Sequence, residues 1–213
     1  MQKIDTYRKY SIWLFLIIEI VGFVGILTSQ FHEITLGLSS VNLWFVLGFL
    51  LLHHKQWNTK EALWMVLVFL VGFFVEVAGV KTGIIFGEYH YGETLGLKIF
   101  NVPITMGVNW LLMCYTSVYV IRKIKLPKVV LGLIAALIMV VMDVIMEPVA
   151  MAFDFWQWQN NTVPFRNYVA WFVIASILNT IWFTLNQIGL NIMAKWVFIY
   201  LITFFITMFL AFA

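Results

Sequence analysis

The chain has 213 residues, of which 63% are hydrophobic and only 11% charged, and its mean hydropathy is +0.96. Soluble domains carry charge on about a quarter of their positions, so this sequence lacks the charge to cover a water-facing surface. Its 13 Lys+Arg and 10 Asp+Glu lie between apolar runs and form no basic stripe, which argues against a nucleic-acid partner. The single cysteine, Cys114, excludes a disulfide framework and a cysteine-based zinc site.

A hydrocarbon layer of about 30 Å is crossed by roughly 20 apolar helical residues. Seven runs approach that length: 11–28, 36–52, 62–79, 102–121, 127–147, 167–187 and 192–213. They predict an all-α fold, a polytopic integral membrane helix bundle of about seven transmembrane helices forming a single domain over 1–213. The first run follows Lys3, Arg8 and Lys9 but ends in Thr28-Ser29-Gln30, with no small-x-small cleavage site, so it reads as a retained helix. Glu19 and the His32-Glu33 loop interrupt or shorten the first two spans.

Basic residues in short loops mark the cytoplasmic side. With a cytoplasmic N-terminus, that side collects Lys3, Arg8, Lys9, Lys55, Lys60, Arg122, Lys123, Lys125, Lys128 and Lys195, and leaves Lys81, Lys98 and Arg166 outside. The two long connections, 80–101 and 153–166, then share the outer face, where long loops tend to carry function.

Ionisable groups within a bilayer are costly and therefore functional candidates. Glu76 falls near the outer end of the third span, and Asp143 and Glu147 share one face of the fifth, about 6 Å apart along its axis. Asp143 stands roughly 24 Å above residue 127, a depth that Asn109 and Trp110 reach from the outer end of the fourth span. The outer loops are aromatic, with Tyr89 and Tyr91 in one and Asp154, Trp156 and Trp158 in the other. Pro148 is expected to kink or end the fifth helix and turn the second loop toward the carboxylates. The result is a polar pocket with an aromatic rim. Interfacial aromatics also have a purely structural use, and each carboxylate has a structural reading as the partner of Arg166, Lys81 or a nearby Asn. Glu19 reads as structural, and Asn179 and Asn186 as interhelical hydrogen-bonding residues.

Four histidines are too few for the clustered boxes of a membrane diiron enzyme, and no dinucleotide fingerprint, Walker motif, nucleophile elbow or paired Asp-rich motif is present. The chemistry left is acid–base work by carboxylic acids, with no metal and no cofactor. A carboxyl held protonated in an apolar pocket can protonate an alkene, aromatic faces can stabilise the tertiary cation, and water can capture it.

Glu76, Gly79, Thr82, Gly83, Phe86, Gly87, Tyr89 and Tyr91, then Val102-Pro103 with Asn109-Trp110, then Met142-Asp143 with Glu147-Pro148 and the Trp156–Trp158 stretch resemble the membrane-embedded carotenoid 1,2-hydratases of the CruF type, which include bisanhydrobacterioruberin hydratase. The match covers about residues 70–170. The resemblance implies addition of water across the terminal 1,2 double bond of an acyclic end group, as in lycopene or γ-carotene. It also implies a lipid-soluble carotenoid substrate, a bacterial cytoplasmic (inner) membrane location among membrane lipid, and association with other carotenoid-pathway enzymes. On the physical argument Asp143 or Glu76 is the proton donor, and Glu147 or Asp154 orients water. Tyr89, Tyr91, Asn109, Trp110, Trp156 and Trp158 bind the polyene end, and Arg166 holds one carboxylate ionised. Two other readings stay open: a small transporter or substrate-capture subunit for a hydrophobic ligand, and a lycopene cyclase-like enzyme that shares the protonation step.

Overall fold

The computed structural model describes residues 2–185 and 190–212, with the backbone alone for 2–6 and 9. Each of the seven apolar runs is helical over most of its length: α1 (Gln2–Leu27), α3 (Ser39–His53), α4 (Thr59–Thr82), α5 (Thr105–Ile121), α6 (Lys128–Ala152), α7 (Phe165–Thr184) and α8 (Ile192–Phe212), with a short α2 (His32–Gly37) between the first two. Five of them, α1, α4, α6, α7 and α8, are long and apolar enough to cross a membrane. The 15 residues of α3 and 17 of α5 are shorter, reaching about 22 and 26 Å. The second run begins late because Leu38 separates α2 from α3, and the fourth because Val102 and Pro103 are extended. Asn186 lies outside the described residues.

Helix α6 shows how a membrane helix distributes its residues. Val129, Leu133, Leu137, Val141 and Val144 are exposed along one stripe, whereas Asp143 and Glu147 are buried on the inward side with Ala135, Met139, Met142 and Met146. The usual soluble amphipathicity is inverted, which suits a hydrocarbon exterior. The helix packs on α5, α7 and α8. Its Gly132 lies so close to the Thr180 backbone of α7 that a Cβ there would overlap it, and Gly72 gives the same close approach between α4 and Trp110 of α5.

Pro148 does not end α6, which runs on to Ala152. A proline forfeits its own hydrogen bond to the preceding turn, but the neighbouring packing holds the helix. The turn comes later, where Phe153 N–H reaches the Val149 carbonyl at 2.9 Å and Asp154 takes a left-handed φ of 54°.

The two long connections are not simple loops. Strand β1 (Tyr89–Tyr91) pairs antiparallel with β4 (Trp156–Trp158) in the register Tyr89 with Trp158, His90 with Gln157 and Tyr91 with Trp156. Strands β2 (Lys98–Ile99) and β3 (Val102–Pro103) form a hairpin whose two turn residues, Phe100 and Asn101, both have positive φ, as a two-residue hairpin loop requires. The β1–β4 ribbon caps the end of the bundle where α4 and α6 finish and α5 and α7 begin. At the opposite end a buried clasp joins α3, α4 and α5 to the segment before α8. There Tyr115 Oη lies 2.6 Å from His54 Nδ1, His54 Nε2 lies 3.4 Å from Glu61 Oε2, and Asn191 Nδ2 donates to Tyr115 Oη at 2.9 Å and to the Leu50 carbonyl at 2.8 Å.

Candidate functional site

Glu76 of α4 and Asp143 and Glu147 of α6 are all buried, at 3%, 1% and 2% exposure. They stand near enough to repel one another when ionised. Asn167, in the first turn of α7, joins two of them: its Nδ2 donates to Asp143 Oδ2 at 2.9 Å and to Glu147 Oε1 at 3.2 Å. No Lys or Arg pairs with this cluster among the described residues. Neutral donors therefore satisfy it.

Most of those donors come from the ribbon. In a strand alternate side chains face one side, and the inward positions are the two tyrosines and two tryptophans. Tyr89 Oη and Tyr91 Oη donate to Glu76 Oε2 at 2.6 and 2.8 Å. Trp156 Nε1 and Trp158 Nε1 donate to Glu147 Oε2 at 2.8 and 2.6 Å. Trp110 of α5 adds a bond to Glu76 Oε1 at 2.9 Å, and its ring stacks on Trp171 at 4.0 Å between centroids. The cross-strand pairs also touch as rings, Tyr89 with Trp158 at 4.9 Å and Tyr91 with Trp156 at 6.2 Å. Burial, and then the charge of Glu76, push both phenols well above their ordinary range, so they stay protonated and act as donors. The ribbon is a lid of hydrogen-bond donors over the carboxylates.

Of the six carboxylate oxygens in the cluster, five accept a hydrogen bond. The sixth, Asp143 Oδ1, accepts none among the described residues.

Beside this cluster lies an apolar cavity of about 430 Å³, walled by α1, α3, α5, α6 and α8. Trp156 and Asn109 line it together with Met146, Phe155, Phe204 and Phe205. Trp156 thus has one side on the cavity and its N–H on Glu147. Met146 is three residues from Asp143, on the same face of α6. The carboxylates stand behind this wall and do not line the cavity themselves.

The sequence candidates divide accordingly. Glu76, Asp143, Glu147, Tyr89, Tyr91, Trp110, Trp156 and Trp158 converge at one end of the bundle, and Asn109 lines the neighbouring cavity. Asp154 is not brought to the cluster: it is exposed and accepts the Glu93 N–H at 3.1 Å in the turn that closes the ribbon. Arg166 is also exposed, lies beside Gly87, and pairs with no carboxylate among the described residues, so it does not hold one ionised. Asn179 makes the interhelical bond expected of it, to Met139 Sδ at 3.3 Å. Sequence reasoning missed Asn167 and Trp171, whose signal was a polar side chain one turn into an apolar helix and a tryptophan one turn after it. It also passed over Asn42 and Tyr200, which line the cavity.

Fold and site together define a class: a membrane-type helical bundle whose buried polar chemistry is carried by carboxylates under an aromatic ribbon. The sequence model of the carotenoid biosynthesis protein family matches residues 30–213. The chain belongs to that family, in agreement with the resemblance read from its motifs. A stretch of 128 residues is 28% identical to the bisanhydrobacterioruberin hydratase of Haloarcula japonica, covering 56% of this chain and 44% of the relative, so the chain spans under half of that relative's length. No solved structure matches the chain.

Proposed function

We propose that the chain is a cofactor-independent carotenoid hydratase that adds water across the terminal 1,2 double bond of an acyclic end group, of the lycopene or γ-carotene type. Family membership, a relative named as a hydratase and the buried acid cluster support this reading. The observation that carries it is the uncommitted oxygen of Asp143. Glu76 and Glu147 are held on both oxygens by donors, whereas Asp143 keeps one oxygen free to carry a proton. Its neighbour Glu147, one turn away, disfavours ionising both.

In the proposed step the alkene end passes beyond the Met146 and Trp156 wall of the cavity to reach Asp143, whose Oδ1–H protonates the less substituted carbon. The π electrons form the new C–H bond and leave a tertiary cation on the other carbon. A water oxygen bonds to that carbon and loses one proton to solvent, and Asp143 regains one, so the net change is addition of one water. The indole face of Trp156, on the cavity wall, is placed to stabilise the cation by roughly 0.5–2 kcal/mol. Asp154, exposed in its turn, takes no part. In this reading the enzyme lies in the bacterial cytoplasmic membrane with a cytoplasmic N-terminus and seven crossings, next to the pathway enzymes that supply its substrate.

The test is expression in a lycopene-accumulating bacterium with chromatography and mass analysis of the pigments. A new species heavier by one water supports the reading. Unchanged pigment overturns it in favour of capture without turnover, and an isomer of unchanged mass overturns it in favour of cyclisation.

A further inference from the structure

The cavity has a second polar wall that the acid cluster does not use. Glu19 of α1 is 4% exposed, and Asn42 of α3 donates from Nδ2 to its Oε2 at 3.0 Å. Asn42 Nδ2 also donates to Tyr200 Oη of α8 at 3.4 Å. Asn42 and Tyr200 line the cavity, and Glu19 stands behind them. A buried carboxylate on the first helix of a bundle costs several kcal/mol if it serves nothing. Here its Oε2 fixes the orientation of Asn42. Because Asn42 Nδ2 is turned to Glu19 and to the Tyr200 hydroxyl, the Asn42 side-chain carbonyl and the remaining lone pair of Tyr200 Oη are the acceptors left to the cavity. Asn109 contributes the complement, since it lines the same cavity and its buried Nδ2 has no hydrogen-bond partner. Glu19 precedes the residues 30–213 matched by the family model, so family membership says nothing of Glu19 itself.

One donor and two acceptors in an otherwise apolar cavity match a single hydroxyl or water on a hydrocarbon chain. A water fills all three, a hydroxyl fills the donor and one acceptor, and a bare polyene fills none. Resting on the hydratase reading, we propose that Asn109, Asn42 and Tyr200 form the oxygen subsite of the cavity, holding the water before it adds and the tertiary hydroxyl afterwards, with Glu19 as the positioning residue behind them. The cavity therefore selects linear isoprenoid chains that end in a hydroxyl over the matching hydrocarbons.

The test uses the purified full chain in phosphatidylcholine vesicles and compares binding of lycopene with that of its 1-hydroxy derivative, read by the shift of the polyene absorption. The wild type is expected to prefer the alcohol by about tenfold, the ratio equivalent to one hydrogen bond of roughly 1.4 kcal/mol. Asn109→Leu, Asn42→Leu and Tyr200→Phe are each expected to bring the ratio close to one by lowering the affinity for the alcohol more than that for lycopene. Tyr200→Phe keeps the ring contacts with Phe15 and Phe204 and so removes only the hydroxyl. Glu19→Gln is expected to lower the ratio and Glu19→Asp to restore part of it. A structural role alone would weaken both ligands together and leave the ratio intact. Equal binding of the two polyenes by the wild type, or a preference that survives Asn109→Leu, Asn42→Leu, Tyr200→Phe and Glu19→Gln, overturns the subsite. A preference for the alcohol without any hydration in cells sinks the hydratase reading and leaves the subsite standing. Hydration without the preference does the opposite.

Discussion

Asp143 and Glu147 share one amide, that of Asn167, and differ in what else they accept. Glu147 takes two indole N–H groups on one oxygen, and Asp143 has an oxygen with nothing on it. Positioned proton transfer contributes about 10²–10⁴-fold, so Asp143→Asn, which keeps the shape and removes the transferable proton, should lower 1-hydroxy product per folded protein by at least about 100-fold. Glu147→Gln should cost less, because its oxygens are already occupied. Equal loss in both variants, or none in Asp143→Asn, would move the acid elsewhere. Asn167→Leu makes a separate claim about stability. It strips one donor from each of two buried carboxylates, and bonds to charged groups are worth about 1.5–3 kcal/mol. Thermal unfolding in detergent should show the lowered midpoint.

The ribbon is the element that turns these residues into a site, and its alternation predicts a pattern of tolerance. Tyr89 and Tyr91 point inward to Glu76, whereas His90 between them is exposed and faces away. Tyr89→Phe and Tyr91→Phe should each reduce product formation several-fold by leaving Glu76 Oε2 one donor short, and His90→Ala should leave it near wild type. If His90→Ala is as damaging as its neighbours in the same pigment assay, the ribbon does not act as a donor lid. This element was also the least legible part of the sequence. The helices declare themselves because each is a long apolar run that needs no partner to be seen. The strands are two or three residues long, and β1 and β4 come from connections far apart in the chain. Only the Tyr-x-Tyr and Trp-x-Trp alternation hinted at them, and aromatic enrichment at a membrane interface masks that hint. The carboxylate cluster was legible from depth counting alone, because charge inside a bilayer is conspicuous wherever it falls. Asp154 and Arg166 misled for the complementary reason: at a loop, charge is ordinary, and sequence position cannot tell a turn-closing carboxylate from a catalytic one. The cavity is invisible in any one segment, since five helices build it.

The whole molecule sorts its charges between its two ends as well as hiding them. Lys55, Lys60, Arg122, Lys123, Lys125 and Lys128 lie at the end with the His54–Glu61 clasp, and Lys81, Lys98 and Arg166 lie at the ribbon end. Basic flanks retained on the cytoplasmic side orient such bundles, and the proposed cytoplasmic N-terminus would put the ribbon and the acid cluster toward the outer leaflet. A polyene lying along the membrane normal would then present its end group at that depth. The one native cysteine, Cys114, is buried, so single introduced cysteines report on orientation without further engineering. Glu88 and Lys123 are both exposed and stand at opposite ends. Glu88→Cys should react with a membrane-impermeant maleimide in intact cells, and Lys123→Cys only after lysis. The reverse labelling would invert the bundle and place the acids at the cytoplasmic leaflet. Labelling of both sites in intact cells would mean that the two ends share a side, which no membrane-spanning arrangement of α4, α6 and α7 allows.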